Sequence, residues 1–158
     1  MSHNNDKRLF LIDAYAMIFR GYYALIRSPR ITSDGKDTSA IFGFTNSLIE
    51  LIRRERPTHL AVVFDVGEAS VRTADFSDYK ANRSETPEAI KIAIPYIHRI
   101  LEAMHVPILG VEGYEADDVI GTIACKAEKE GYTTYMLTPD KDFAQLVTDK
   151  IKIYKPGL

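Results

Sequence analysis

Three of the four residues from Glu115 to Asp118 are carboxylates, within the stretch Gly113-Tyr114-Glu115-Ala116-Asp117-Asp118-Val119-Ile120-Gly121. An apolar run, Val106 to Val111, precedes it, and apolar residues recur after it at Val119, Ile120, Ile123, Ala124 and Ala127. That pattern is a strand, a short turn and the first turn of a helix. On a helix Glu115 and Asp118 share a face, with Asp117 about 100° round from Asp118. Acids are at home at a helix N-terminus, where each gains about 0.3–1 kcal/mol from the dipole. Acids crowded into one turn also repel each other. Three together, with little basic residue beside them, equally suit a magnesium or manganese site, and this stretch alone leaves both readings open.

Further carboxylates follow other apolar runs. Asp13 comes directly after Arg8 to Ile12, and Asp65 after His59 to Phe64; Asp140 and Asp142 follow Tyr132 to Leu137. If those runs are parallel strands, all seven acids reach one sheet edge, the carboxyl edge where open α/β sheets place their ligand sites. A lone acid at a strand end is ordinarily a cap or a turn former; here the coincidence recurs on four strands. Two carboxylates ~4 Å apart repel by about 1–4 kcal/mol at effective dielectrics from 80 to 20. Hard divalent cations with oxygen ligands resolve such crowding. Two of them roughly 3.5–4 Å apart can activate a water and stabilise both oxygens of a displaced phosphodiester. Rival signatures are missing: there is no Gly-x-x-x-x-Gly-Lys loop, Cys-x-x-Cys or His-Glu-x-x-His, and His3, His59, His98 and His105 are scattered.

The elements that must carry these acids are legible in outline. Arg8 to Ile12 and His59 to Phe64 lack polar alternation, as strands buried on both faces do. Ala14 to Leu25 is helix-compatible, with Arg20, Tyr22 and Tyr23 toward its end. Pro29 and Ser33-Asp34-Gly35 mark a loop, after which Thr38 or Ser39 can cap a helix spaced by Ile41, Phe44, Leu48, Leu51 and Ile52 and stopped at Pro57. Thr86-Pro87 is an N-cap and first-turn pair for a helix running toward His105, in which Pro95 implies a kink or break. Val106 to Val111, Tyr132 to Leu137 and Lys150 to Tyr154 complete about five strands, with a short helix through Leu146. Buried strands alternating with helices predict an α/β fold, a parallel twisted sheet with helices on both faces.

The stretch from Val66 to Glu85 breaks the pattern: about twenty residues, polar, with few apolar ones. So long a stretch between elements is usually a functional lid or a disordered segment. Were it helical, Arg72, Phe76, Tyr79, Lys80 and Arg83 would share one face, basic and aromatic as a nucleic-acid backbone requires. The alternative is a solvated helix with its two aromatics folded onto the core.

At 158 residues the chain has the length of one domain. A net charge of −2 makes no blanket case for nucleic acid, so any such case is local. Met1 to Lys7 is polar and expected to be frayed. The first apolar run is too short for a signal peptide or membrane span. One cysteine, Cys125, excludes an internal disulfide and suits a reducing cytoplasm, the expected location; a packed helix residue is its expected role.

Taken together, Gly113 to Gly121, Tyr79-Lys80-Ala81-Asn82-Arg83, Val63-Phe64-Asp65 and Asp140-Lys141-Asp142 resemble the 5′-nuclease domain at the N-terminus of bacterial DNA polymerase I, kin to flap endonucleases and the PIN-like, resolvase-like fold. The likeness spans Lys7 to Pro156. It implies that Asp13, Asp65, Glu115, Asp117, Asp118, Asp140 and Asp142 hold Mg²⁺ or Mn²⁺, two ions in the complete site, directly or through water. It implies that Arg20 engages the scissile phosphate region and that Tyr22 contacts DNA. Arg72, Tyr79, Lys80 and Arg83 would belong to a helical arch over residues 66–86 that grips a 5′ single strand or flap. The departures Ala14-Tyr15-Ala16 (for Gly-Ser-Ser) and Pro139 (for Gly) supply no ligand. The family also continues with two more aspartates and a duplex-gripping helical hairpin, so residues 8–158 resemble the first half of the domain, without the duplex clamp, and a polymerase can follow in the parent chain. The competing expectations are a DNA-binding piece that does not cleave, a PIN-type ribonuclease, and a phosphohydrolase with Asp13 as nucleophile.

Overall fold

The computed structural model describes residues 6–66 and 86–155. A five-stranded, all-parallel sheet runs in the order β3-β2-β1-β4-β5. Its strands are β1 (Arg8–Asp13), β2 (His59–Val63), β3 (Ile108–Leu109), β4 (Thr133–Leu137) and β5 (Ile151–Ile153). Four α-helices are described: α1 (Ala14–Ala24), α2 (Ser39–Glu55), α3 (Glu88–Ala103) and α4 (Ala116–Lys129), together with a 3₁₀ helix, Lys141–Leu146. The strand pattern therefore folds as the α/β alternation requires, and β1, the first strand made, lies at the centre.

Side chains of each strand alternate between two apolar layers. Phe10 and Ile12 of β1, with Val62 and Leu137, face α1, α2 and α3, where Ile18, Phe44, Leu48, Ile90 and Ile97 are fully buried. Leu11, Ala61, Val63 and Met136 face the other way, against Val119, Ile120 and Ala124 of α4, Phe143 of the 3₁₀ helix and Ile151. Register is specified by this division, because a one-residue slip would send every apolar side chain of β1 to the wrong layer. Gly21 and Gly43 set the α1–α2 approach: a Cβ on Gly43 would lie 2.5 Å from the Gly21 carbonyl oxygen.

Several boundaries depart from expectation. Only Ile108–Leu109 pairs in the third strand, since β3 is an edge strand bonded to β2 alone and Val111 is exposed. Pro87, not Thr86, occupies the N-cap of α3, in extended conformation and with no side-chain cap. Pro95 sits inside α3 without ending it. Thr38 is the N-cap of α2, yet its hydroxyl donates to the Arg30 carbonyl, while the Asp37 carboxylate accepts from Ser39 N–H at 2.9 Å. Cys125 is exposed rather than packed. In the frayed stretch expected before β1, Lys7 lies beside the sheet, its carbonyl accepting from Thr133 N–H at 2.8 Å. Among the described residues no helix is long and apolar enough to cross a membrane.

Candidate active site

Asp13 is both the last residue of β1 and the N-cap of α1, its carboxylate accepting from Ala16 N–H at 3.2 Å. Asp65 lies two residues beyond β2 and reaches across the sheet edge: its Oδ1 accepts from Ala116 N–H, the first residue of α4, at 2.6 Å. One strand end thus caps the helix that follows another strand. The backbone N–H groups at an α-helix start lack intrahelical partners, and a carboxylate there also meets the positive end of the dipole. Asp140 is held from both sides: its N–H donates to Thr138 Oγ1 at 3.2 Å, and its Oδ1 accepts from Asp142 N–H at 2.9 Å, capping the 3₁₀ helix.

These three acids meet at Asp117, in the first turn of α4. Burial raises the Asp117 carboxyl, and the Asp13 charge, a hydrogen bond and charge from Asp140, and the Asp65 charge raise it further, to about 7. A hydrogen bond between two carboxyls requires a shared proton, which burial and the neighbouring charges together favour. Carboxylates from the ends of β1, β2 and β4 and the start of α4 converge here; that is the expected sheet-edge meeting.

Glu115 is the N-cap of α4, half-buried and in extended conformation, directly before the helix. Asp118 and Asp142 are exposed. Arg20 is exposed near the end of α1, and with Asp140 it lines a groove between α1, α2 and the ends of β4 and β5. Half-buried Tyr22 meets Tyr23 edge-on, with ring centroids 5.1 Å apart. Arg72, Tyr79, Lys80 and Arg83 lie outside the described residues. Sequence reasoning missed the Asp65–Ala116 cap, which joins residues far apart in the chain, and the Thr138 hydroxyl under Asp140. The latter had a signal: threonine two residues before an aspartate is a turn former whose hydroxyl bonds local backbone.

The donor set fits a hard divalent cation: it is all oxygen, anionic and partly buried, and burial first, with the neighbouring charges adding to it, raises Asp117. Among the described residues no three acids close around a single ion.

Comparison with known proteins follows the same lines. Residues 8–157 match the family model described as 5′-3′ exonuclease, N-terminal resolvase-like domain. The chain is 39% identical over 150 residues to a 5′-3′ exonuclease of Aquifex aeolicus, covering 95% of this chain and 51% of that protein. It is 41% identical over 148 residues to DNA polymerase I of Mycobacterium tuberculosis, covering 94% of this chain and 16% of that one. Among solved structures, the bacteriophage T5 flap endonuclease in a pseudo-enzyme-product complex with DNA and metal ions superposes with a TM-score of 0.58 at 20% identity, covering 94% of this chain and 54% of that one. The chain thus spans about half of the exonuclease and about a sixth of the polymerase. It belongs to the family of 5′-3′ exonuclease N-terminal resolvase-like domains.

Proposed function

We propose that the acid cluster binds Mg²⁺ or Mn²⁺ and hydrolyses phosphodiester bonds in DNA carrying a 5′ single-stranded end or flap, as part of a longer protein of the DNA polymerase I type. The observation that carries this is the convergence of Asp13, Asp65 and Asp140 on Asp117. Asp13, Asp65, Asp117 and Asp140 would hold the metal, with Glu115, Asp118 and Asp142 reaching it through water. Bound metal supplies a nucleophilic water at neutral pH and neutralises charge on the phosphate. The chain's own part is to fix the Asp13, Asp65 and Asp140 carboxylates on backbone N–H groups, so that little reorganisation is needed when the phosphate arrives. Arg20, about two helical turns along α1 from the Asp13 cap, positions the phosphate, and Tyr22 supports it. Arg72, Tyr79, Lys80 and Arg83 grip the single strand.

The test is cleavage of a 5′-flapped duplex with Mg²⁺ or Mn²⁺, beside blunt duplex and single-stranded RNA, with Asp117→Asn as control. Metal-dependent cutting of the flap, lost in Asp117→Asn, is expected. Preferential cutting of RNA would mean a ribonuclease instead. A second reading, a DNA-binding piece that does not cleave, draws on the open ligand set. Flap binding without cutting by the parent in either metal would establish it.

A further inference from the structure

Tyrosine side chains in this chain ordinarily find a partner. The rings of Tyr15, Tyr22 and Tyr135 meet other aromatic rings, Tyr132 packs on His59, and the hydroxyls of Tyr96 and Tyr154 meet Lys36 and Glu55. Tyr114 stands apart. Among the described residues no ring, cation or hydrogen-bonding group engages its side chain, which is 57% exposed, more than any other large apolar side chain described. Its backbone, by contrast, is fixed. Tyr114 N–H donates to the Val111 carbonyl at 3.0 Å, closing a tight turn in which Gly113 takes φ +89°, a conformation that favours glycine. The next residue, Glu115, is the N-cap of α4, and Ala116 after it gives its N–H to Asp65 at 2.6 Å. Two exposed valines extend the apolar surface along this turn: Val111, and Val66, which lies so close to Gly110 that a Cβ there would stand 2.3 Å from its Cγ2. The rest of the stretch is acidic. Glu112 is exposed and Glu115 half-buried, and no lysine or arginine occurs from Gly110 to Cys125.

We propose that the Tyr114 ring is a stacking platform for one base of the strand whose phosphate is held at the acid cluster, an inference that rests on the nuclease reading above. Its reach is sufficient. Asp117 is three residues further on, so the two Cα atoms lie within about 11 Å of each other, the length of about three nucleotides at roughly 3.4 Å each. Charge selects the part of the substrate that binds here: Glu112 and Glu115 repel phosphates, whereas the π face of a base is neutral and every base has one. Size selects nucleic acid over protein. Two valines and a tyrosine match a base and fall far short of the roughly 20–30 residues a stable protein interface uses on each side. A ring on a fixed turn also has few torsions left to settle when the base arrives. Tyr114 thus orients the nucleotide beside the reacting phosphate, and it does so without base preference, because stacking is sequence-tolerant.

The test uses this chain with a 5′-flapped duplex in Ca²⁺, a hard cation with oxygen ligands. The duplex carries 2-aminopurine, a base whose fluorescence is quenched by stacking, at one position at a time across the junction. One position should be quenched when the parent binds. Tyr114→Ala should lose that quench and bind about tenfold more weakly, while Tyr114→Phe, which keeps the ring, should retain both. All three chains should melt together and show the same Mn²⁺-induced rise in melting temperature, because the exposed ring has no part in the core or in metal binding. A Tyr114→Ala chain with the parent's quench and affinity would overturn the platform and leave the proposed function standing. Equal losses in Tyr114→Phe and Tyr114→Ala would overturn it as well, since the hydroxyl and not the ring would then make the contact. A parent that binds no flapped DNA would overturn the inference together with the function on which it rests.

Discussion

Asp117 carries a proton that its surroundings have forced on it, and that proton reports on the metal site. An unfolded aspartate ionises near pH 3.9; in the folded chain burial and the neighbouring Asp13, Asp140 and Asp65 raise the group to about 7. Because the folded form binds the proton more tightly, Asp117 favours folding at low pH and withdraws that support as pH rises from about 4 through about 7. For this group alone, the metal-free chain should thus be less stable at pH 8 than at pH 6, opposite to the usual salt-bridged carboxylate. Melting temperatures with EDTA across that range measure it. Asp117→Asn should flatten the slope and raise the metal-free melting temperature at pH 8. Mn²⁺ or Mg²⁺ should raise the parent's stability by mass action, about 2.7 kcal/mol at a hundredfold excess over Kd. The expected outcome for Asp117→Asn is little or no shift in the same titration. A parent that melts identically with EDTA and with millimolar Mn²⁺ would contradict the metal assignment.

At the scale of elements, the geometry of α1 depends on how closely α2 can approach it. Gly43→Ala puts a methyl 2.5 Å from the Gly21 carbonyl oxygen, so the helices must separate. A cost of about 1–3 kcal/mol is expected, as for overpacked cores, measurable by urea denaturation. Since α1 begins at the Asp13 cap and carries Arg20, Gly43→Ala should also weaken metal binding, which Gly35→Ala should not. Gly35 sits at φ +92° in the distant α1–α2 loop with open space around it, so its change strains only that loop. Elements were the most legible level of this chain. Unbroken apolar runs such as Leu9 to Ile12 and Leu60 to Val63, too short for helices, read as strands covered on both sides, and the acids after them mark the carboxyl edge. Val106 to Val111 misled because apolar composition does not reveal that an edge strand has one neighbour. Thr86 misled because a hydroxyl before a proline invites a cap wherever a helix begins. Which acids meet was not legible either: Asp117 and Asp118 are adjacent and chemically alike. Only the rotation of α4, set by burial of Ala116, Val119 and Ile120, turns the first toward Asp13 and leaves the second in solvent.

For the whole molecule, substrate capture and chemistry are expected to separate. In a protein that cleaves, Lys80→Ala with Arg83→Ala should weaken binding to single-stranded or flapped DNA and lower the salt slope by roughly 0.7 for each phosphate no longer neutralised. Asp117→Asn should keep the salt slope of the parent and lose cleavage. Fluorescence anisotropy at several salt concentrations gives both slopes. An unchanged slope in the double variant would remove the arch assignment and leave that face solvated.

The strand order has a consequence for how such a chain comes into being. β1 is translated first and ends up in the middle, with Leu9 beside His59 on one side and Arg8 beside Thr133 on the other. A nascent chain that has reached β2 can already close β1, α1, α2 and β2 into a half-built layer. Among the described residues, the opposite surface of that layer, Leu11, Ala61 and Val63, gains its cover only when α4 is translated. At roughly 5–20 residues per second the wait lasts several seconds, with the flank of β1 that belongs to β4 left unpaired throughout. An open edge beside bare aliphatic side chains is an invitation to neighbouring chains on the same ribosome cluster. Slowing elongation between β2 and α4 should therefore lower the soluble yield of this chain more than slowing it after β4.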